Sequence, residues 1–144
     1  MSSRRAAIVV HDLDQAIGAL RAAAAAGVPV TLWTAPGAAA YAGLGFLGAV
    51  FEKARVALPE AEHDAVVDCR GSAVLAHEAL SRGFAAVAFT GRGAMRKTLQ
   101  AIADGQNGRL IAAGPGRGAL DLAHSADPER DSAAFLAKRH TGRL

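Results

Sequence analysis

The chain has 144 residues, 51% of them hydrophobic and 20% charged, which is the size and balance of one globular domain rather than of a disordered chain. Its net charge of +3, from 16 Lys and Arg against 13 Asp and Glu, is too small to mark a nucleic-acid binder, and no aromatic residues interleave with the basic ones. The single cysteine, Cys69, excludes an internal disulfide and a cysteine zinc cluster, so a reducing, cytosolic location is expected.

Met1 to Arg5 are polar and basic, but the apolar run behind them, residues 6–10, is too short for a signal peptide and reads as a first strand. Leu13, Ile17, Leu20 and Ala24 then recur at helical spacing, with Asp12 as N-cap, Gln15 as its reciprocal partner and Gly27 as the stop. Val30–Trp33 is a second strand. No charge occurs from Ala22 to Phe51, yet Pro29, Pro36 and Gly37 leave only Ala38–Phe51 continuous. That is too short to span a bilayer and fits a buried helix, so no membrane partner is expected. This helix is apolar on all sides, and Tyr41, Gly45 and Gly48 share one face. The sheet would cover one side, and the other is read either as a homo-oligomer contact through residues 38–51 or as burial under the C-terminal segment.

Ala65–Asp68, Ala85–Phe89 and Leu110–Ala113 complete a set of five short, continuous apolar strands. Between them a helix follows Ser72 and stops near Gly83, and Met95, Leu99 and Ile102 form the face of another that stops near Gly105. Asp127-Pro128 opens a last helix over about residues 128–140. The pattern predicts a single three-layer α/β domain over residues 1–144, with a five-stranded, mostly parallel sheet and helices on both faces.

Ligands of open parallel sheets bind outside the carboxyl ends of the strands. Those ends carry His11-Asp12, Thr34, Asp68-Cys69-Arg70-Gly71-Ser72, Thr90-Gly91-Arg92-Gly93 and Gly114-Pro115-Gly116-Arg117-Gly118. Glycine admits close backbone approach and arginine offers planar donors, so a small phosphate- or carboxylate-bearing ligand is the expectation. Its candidate contacts are Asp12, Thr34, Arg70, Ser72, Thr90, Arg92, Gly93, Gly116 and Arg117. The same residue types also serve ordinary turns and caps, and Asp12 in particular reads as a cap. His11 and Asp68 are the candidate acid–base groups, and whether a reaction follows binding is left open. His63, His77, His124 and His140 lack ligand spacing, so no metal is expected, and no motif names a cofactor.

Cys69 sits beside Arg70 before a helix, an environment that favours a nucleophilic thiolate. The run Cys69-Arg70-Gly71-Ser72, followed by a helix, Gly83-Phe84 and a strand, locally resembles the active-site segment of rhodanese-like sulfurtransferases over residues 65–93. That resemblance implies Cys69 as catalytic nucleophile; the other reading is a buried cysteine packed as a small hydrophobe. Asp12, Asp14, Asp68 and Thr90, each placed after a strand, give a layout similar to response-regulator receiver domains. It implies a regulatory or protein-interaction role, although Ala113-Gly114-Pro115 stands where that family carries a lysine. Gly43-Leu44-Gly45-Phe46-Leu47-Gly48 matches G-x-G-x-x-G, but within an apolar helical run it reads as helix packing rather than dinucleotide binding.

Overall fold

The structure, a computed structural model, describes residues 5–141, with side chains through Arg139; residues 1–4 and 142–144, and the side chains of His140 and Thr141, lie outside it. A parallel sheet flanked by helices is built from β1 (Ala6–Val9), β2 (Val30–Trp33), β3 (His63–Asp68), β4 (Ala86–Ala88), β5 (Arg109–Ile111) and β6 (Leu120–Asp121). Their order across the sheet is β5-β4-β3-β2-β1-β6. The α/β class holds, with six strands rather than five. The added strand is two residues long and has no periodicity of its own. It exists because Leu120 and Asp121 pair with Ile8 and Val9, and Leu122 N–H donates to the Val9 carbonyl at 3.0 Å.

The helices are α1 (Leu13–Ala26), α2 (Ala38–Tyr41), α3 (Leu44–Ala57), α4 (Ala73–Ser81), α5 (Gly93–Gly105) and α6 (Pro128–Thr141). α1 begins as the sequence requires. The Asp12 carboxylate accepts from Gln15 N–H at 2.8 Å, while Gln15 Oε1 accepts from His11 N–H at 2.7 Å. α1 ends on Gly27 in the left-handed region. Its buried Ala16, Ala19, Leu20 and Ala23 pack with Ile8, Val30 and Leu32 of the sheet. Asp127 Oδ1 accepts from Arg130 N–H at 3.1 Å, capping α6 as expected.

The helix expected over 38–51 is two helices. Gly43, at φ +89°, takes the chain out of helical geometry after one turn, and α3 runs on to Ala57 because Glu52, Lys53 and Arg55 are strong helix formers on its outer face. This region is not covered on all sides: Tyr41 is 69% and Phe46 49% exposed. Gly48 is used for packing, since a Cβ there would stand 3.3 Å from the Phe84 ring.

The connection from β5 to β6 explains why residues 112–119 form no helix. They carry the chain from one edge of the sheet to the other, five strand spacings or roughly 24 Å. Nine steps of extended chain reach about 30 Å at most, which leaves no length for a helix; the segment crosses through bends at Ala112, Ala113 and Pro115 and a turn in which Ala119 N–H donates to the Gly116 carbonyl at 3.4 Å. Gly114, Pro115, Gly118 and Ala119 line a groove with strand residues as it crosses.

Candidate functional site

At the carboxyl edge the loops after β2, β3 and β4 are locked together. Asp68 is buried, and its Oδ1 accepts from Gly37 N–H at 3.2 Å and from Arg70 N–H at 2.9 Å. Thr34, 1% exposed, accepts from Asp68 N–H at 2.9 Å through its hydroxyl, so its side chain serves the loop framework. Thr90 N–H donates to the Arg70 carbonyl at 2.8 Å. These bonds hold Arg70 at φ +50°, a left-handed conformation that costs a bulky residue roughly 1–3 kcal/mol. The aliphatic part of Arg70 lies against the turn at Gly37, where a Cβ would come within 3.3 Å of its Cγ. Its guanidinium is exposed.

The remaining residues of this edge divide into framework and free donors. Ser72 caps α4, its Oγ accepting from Leu75 N–H at 3.1 Å. Arg92 occupies the cap position of α5 without a side-chain cap bond, and Gly93 behind it has φ +72°. Thr90, Arg92, Gly93, Gly116 and Arg117 are exposed. Among the described arginines, Arg70, Arg92 and Arg117 alone have guanidinium groups with no ion pair or hydrogen bond, and they lie in the loops that follow β3, β4 and β5. Arg96, which the sequence did not single out, is spent on structure: its Nη1 donates to the Phe89 carbonyl at 2.8 Å, holding the end of β4.

Cys69 is 2% exposed and belongs to the core around Val67, Ala88 and Phe89. Burial, and secondarily the charge of Asp68, pushes its thiol up to about 12. At neutral pH it is a protonated core side chain, the opposite of the activated thiolate that a sulfur-transfer reaction needs.

No protein-family model matches this chain, and no curated protein does. Its chemistry is therefore read from geometry.

His11 does not join Asp68 and Arg70. β2 separates β1 from β3, which places their ends roughly 10 Å apart. His11 Nε2 instead meets Asp121 Oδ1 at 2.8 Å, across the β1–β6 pair. Partial burial acts upward on the Asp121 carboxyl but is outweighed by the His11 hydrogen bond, the Ala123 N–H and the charges of His11 and His124, which hold it below the usual carboxylate range. Asp12 is the α1 cap. His77 is exposed, and among the described residues no group of three or more His, Cys, Asp or Glu is placed to hold a metal. No described helix is long and apolar enough to cross a membrane.

A second set of residues was invisible in the sequence. Asp64 on β3 accepts from Thr31 Oγ1 at 2.6 Å, from Arg109 Nη2 at 2.7 Å, and lies 3.5 Å from Arg5 Nη1. These residues line a cavity of about 560 Å³ on one face of the sheet, together with Trp33, Val66, Ile111, Arg139 and Gly114, Pro115, Gly118 and Ala119 of the crossing segment. The only local signal was a polar residue, Thr31 or Asp64, within or beside an apolar run.

Proposed function

We propose that the protein binds a small phosphate- or carboxylate-bearing ligand at the carboxyl edge of its parallel sheet, acting as a binding domain. The observation that carries this reading is the distribution of arginine partners. Apart from Arg117 in the loop after β5, the other described arginines are paired or hydrogen-bonded, whereas Arg70 and Arg92, after the neighbouring strands β3 and β4, present whole guanidinium forks to solvent. The side-chain-uncapped start of α5 adds backbone N–H groups beside Arg92. Thr90 contributes a hydroxyl on the same edge. A reaction there has less support, because Asp68 and Cys69 are buried in the loop framework and His11 is held by Asp121.

The test is a thermal-shift screen with inorganic phosphate, pyrophosphate and citrate on the parent protein and on Arg70→Ala and Arg92→Ala. An anion present at 100 times its Kd stabilises the folded state by about 2.7 kcal/mol. The reading expects stabilisation of the parent and its loss in both variants; equal responses in all three proteins would refute it. A second reading, a regulatory or homo-oligomeric interaction domain, is favoured by Tyr41, Phe46, Val74 and Met95, which are exposed near helix ends on this edge. Sedimentation velocity of Tyr41→Ser and Phe46→Ser against the parent separates the two readings, since only an oligomer contact predicts a change of mass.

A further inference from the structure

We infer that the anion met by Arg70 and Arg92 is the headgroup layer of an anionic membrane, on which the carboxyl edge docks peripherally; this rests on the anion reading of those two arginines and names their partner. Two features of the edge converge. The first is charge. The loops that follow β2, β3 and β4 hold one carboxylate, Asp68, and it is buried. Against it stand the free guanidinium groups of Arg70 and Arg92 and, in the first turns of α5, Arg96 and Lys97. Arg96 is bonded only to backbone carbonyls, so its charge is uncancelled, and Lys97 is exposed with no carboxylate partner. The starts of α4 and α5 are thus a local cationic patch.

The second feature is apolar surface beside those cations. Phe46 and Met95 stand one turn before the buried Val50 and Leu99, on the core-facing stripes of α3 and α5. They are nevertheless 49% and 51% exposed, because they overhang the end of the sheet. Val74, in the first turn of α4, is 77% exposed, and Tyr41, the last residue of α2, is 69% exposed. Arg70 is thus followed by Val74, and Arg92 by Met95, at the start of the next helix. A cation on a phosphodiester with an apolar tip between the headgroups is an interfacial contact, and it requires no crossing helix. A fluid surface accommodates tips that project separately from the starts of three helices. None of these side chains lines the cavities of about 560, 440 and 380 Å³ found elsewhere on the described residues. A second copy of the chain would instead set the same cations against one another.

The experiment is flotation of the protein with vesicles of phosphatidylglycerol and phosphatidylcholine in equal parts, and with vesicles of phosphatidylcholine alone. Binding to the mixed vesicles, absent on phosphatidylcholine and weakened by added salt, is expected. Arg70→Ala and Arg92→Ala should each weaken it about fivefold, the factor that one cation contributes near an anionic surface. Phe46→Ser and Met95→Ser should each weaken it about fivefold too, from the exposed half of the side chain that binding withdraws from water. Val74→Ser removes a largely exposed side chain and serves if the other two serine variants do not fold. Lys53→Ala, which removes one charge from the outer face of α3, should bind as the parent does. Equal binding to both vesicles, serine variants that bind as the parent does, or a loss in Lys53→Ala as large as in Arg70→Ala would overturn the inference, the last by reducing it to net charge. Stabilisation by inorganic phosphate without vesicle binding would overturn it while leaving the anion reading in place, and would give the edge to a soluble anion or an acidic protein. No response to either would remove both.

Discussion

Asp68 offers the sharpest separation of framework from chemistry. Its Oδ1 takes both backbone donors, Gly37 N–H and Arg70 N–H, while Oδ2 has no partner. Asp68→Asn can therefore keep the oxygen on both donors and put its NH2 in the place of Oδ2, losing only the charge on two hydrogen bonds, about 1 kcal/mol. Asp68→Ala strands two donors in a partly buried turn and frees Arg70 from its left-handed conformation. At about 1–3 kcal/mol per orphaned group, the expected loss is about 2–4 kcal/mol, a large share of the roughly 5–15 kcal/mol that holds a domain together. Urea unfolding followed by Trp33 fluorescence reads this as a drop in midpoint of about 1–2 M for Ala and less than half of that for Asn. If Asn proved as damaging as Ala, the charge itself would matter, and Asp68 would have to be reconsidered as an ionised functional group.

Further consequences follow from the packing and the titrating groups. With its thiol pushed up to about 12, Cys69 holds roughly one thiolate per ten thousand molecules at pH 8. A thiol-exchange reagent should thus label it only as fast as the protein opens; stoichiometric labelling within seconds would contradict its burial. At Gly18 a Cβ would come within 2.8 Å of both Glu129 N and Pro128 Cβ, at the α1–α6 contact. Gly18→Ala should therefore lose about 1–3 kcal/mol to overpacking and regain about 1 from helix propensity, lowering Tm by several degrees; a rise in Tm would show that α6 yields freely. The Asp121 carboxyl is held low in the folded state, so its contribution is present above its unfolded value, near 3.9, and is lost as pH falls through the folded one. Asp121→Asn should accordingly flatten the fall in unfolding free energy between about pH 5 and 3, by less than about 1 kcal/mol given the exposure of the pair; identical slopes would remove His11–Asp121 as a stabilising contact.

The parts of this fold that local chemistry decides were readable in the sequence. Asp12, Gln15 and Gly27 bound α1, and Asp127 with Pro128 starts α6, because a cap needs only residues within one turn of it. The five apolar strands were likewise marked by their composition. β6 was not, since Leu120 and Asp121 form a strand only by pairing with residues more than a hundred positions earlier. The break at Gly43 was hidden inside a continuous apolar run that composition alone reads as one helix. His11 illustrates the same limit at the level of chemistry: its position after β1 was legible, but its partner Asp121 was fixed by where β6 lands. Asp64, Arg5 and Arg109 stand at the starts of strands or beside them, where sequence reading sees ordinary connectors. Only the strand order β5-β4-β3-β2-β1 places them over one face. Arg70 and Arg92 were named from the Gly–Arg pairing of their loops, while their lack of partners is a property of the folded chain.

The most direct test of the carboxyl-edge site is an amide chemical-shift titration of the isotope-labelled protein with inorganic phosphate and pyrophosphate. The account predicts saturable shifts at Gly37, Arg70, Gly71, Thr90, Gly93 and Ala94, abolished in Arg70→Ala. Shifts confined to Ala7, Thr31, Asp64 and Arg109, or none at all, would contradict it.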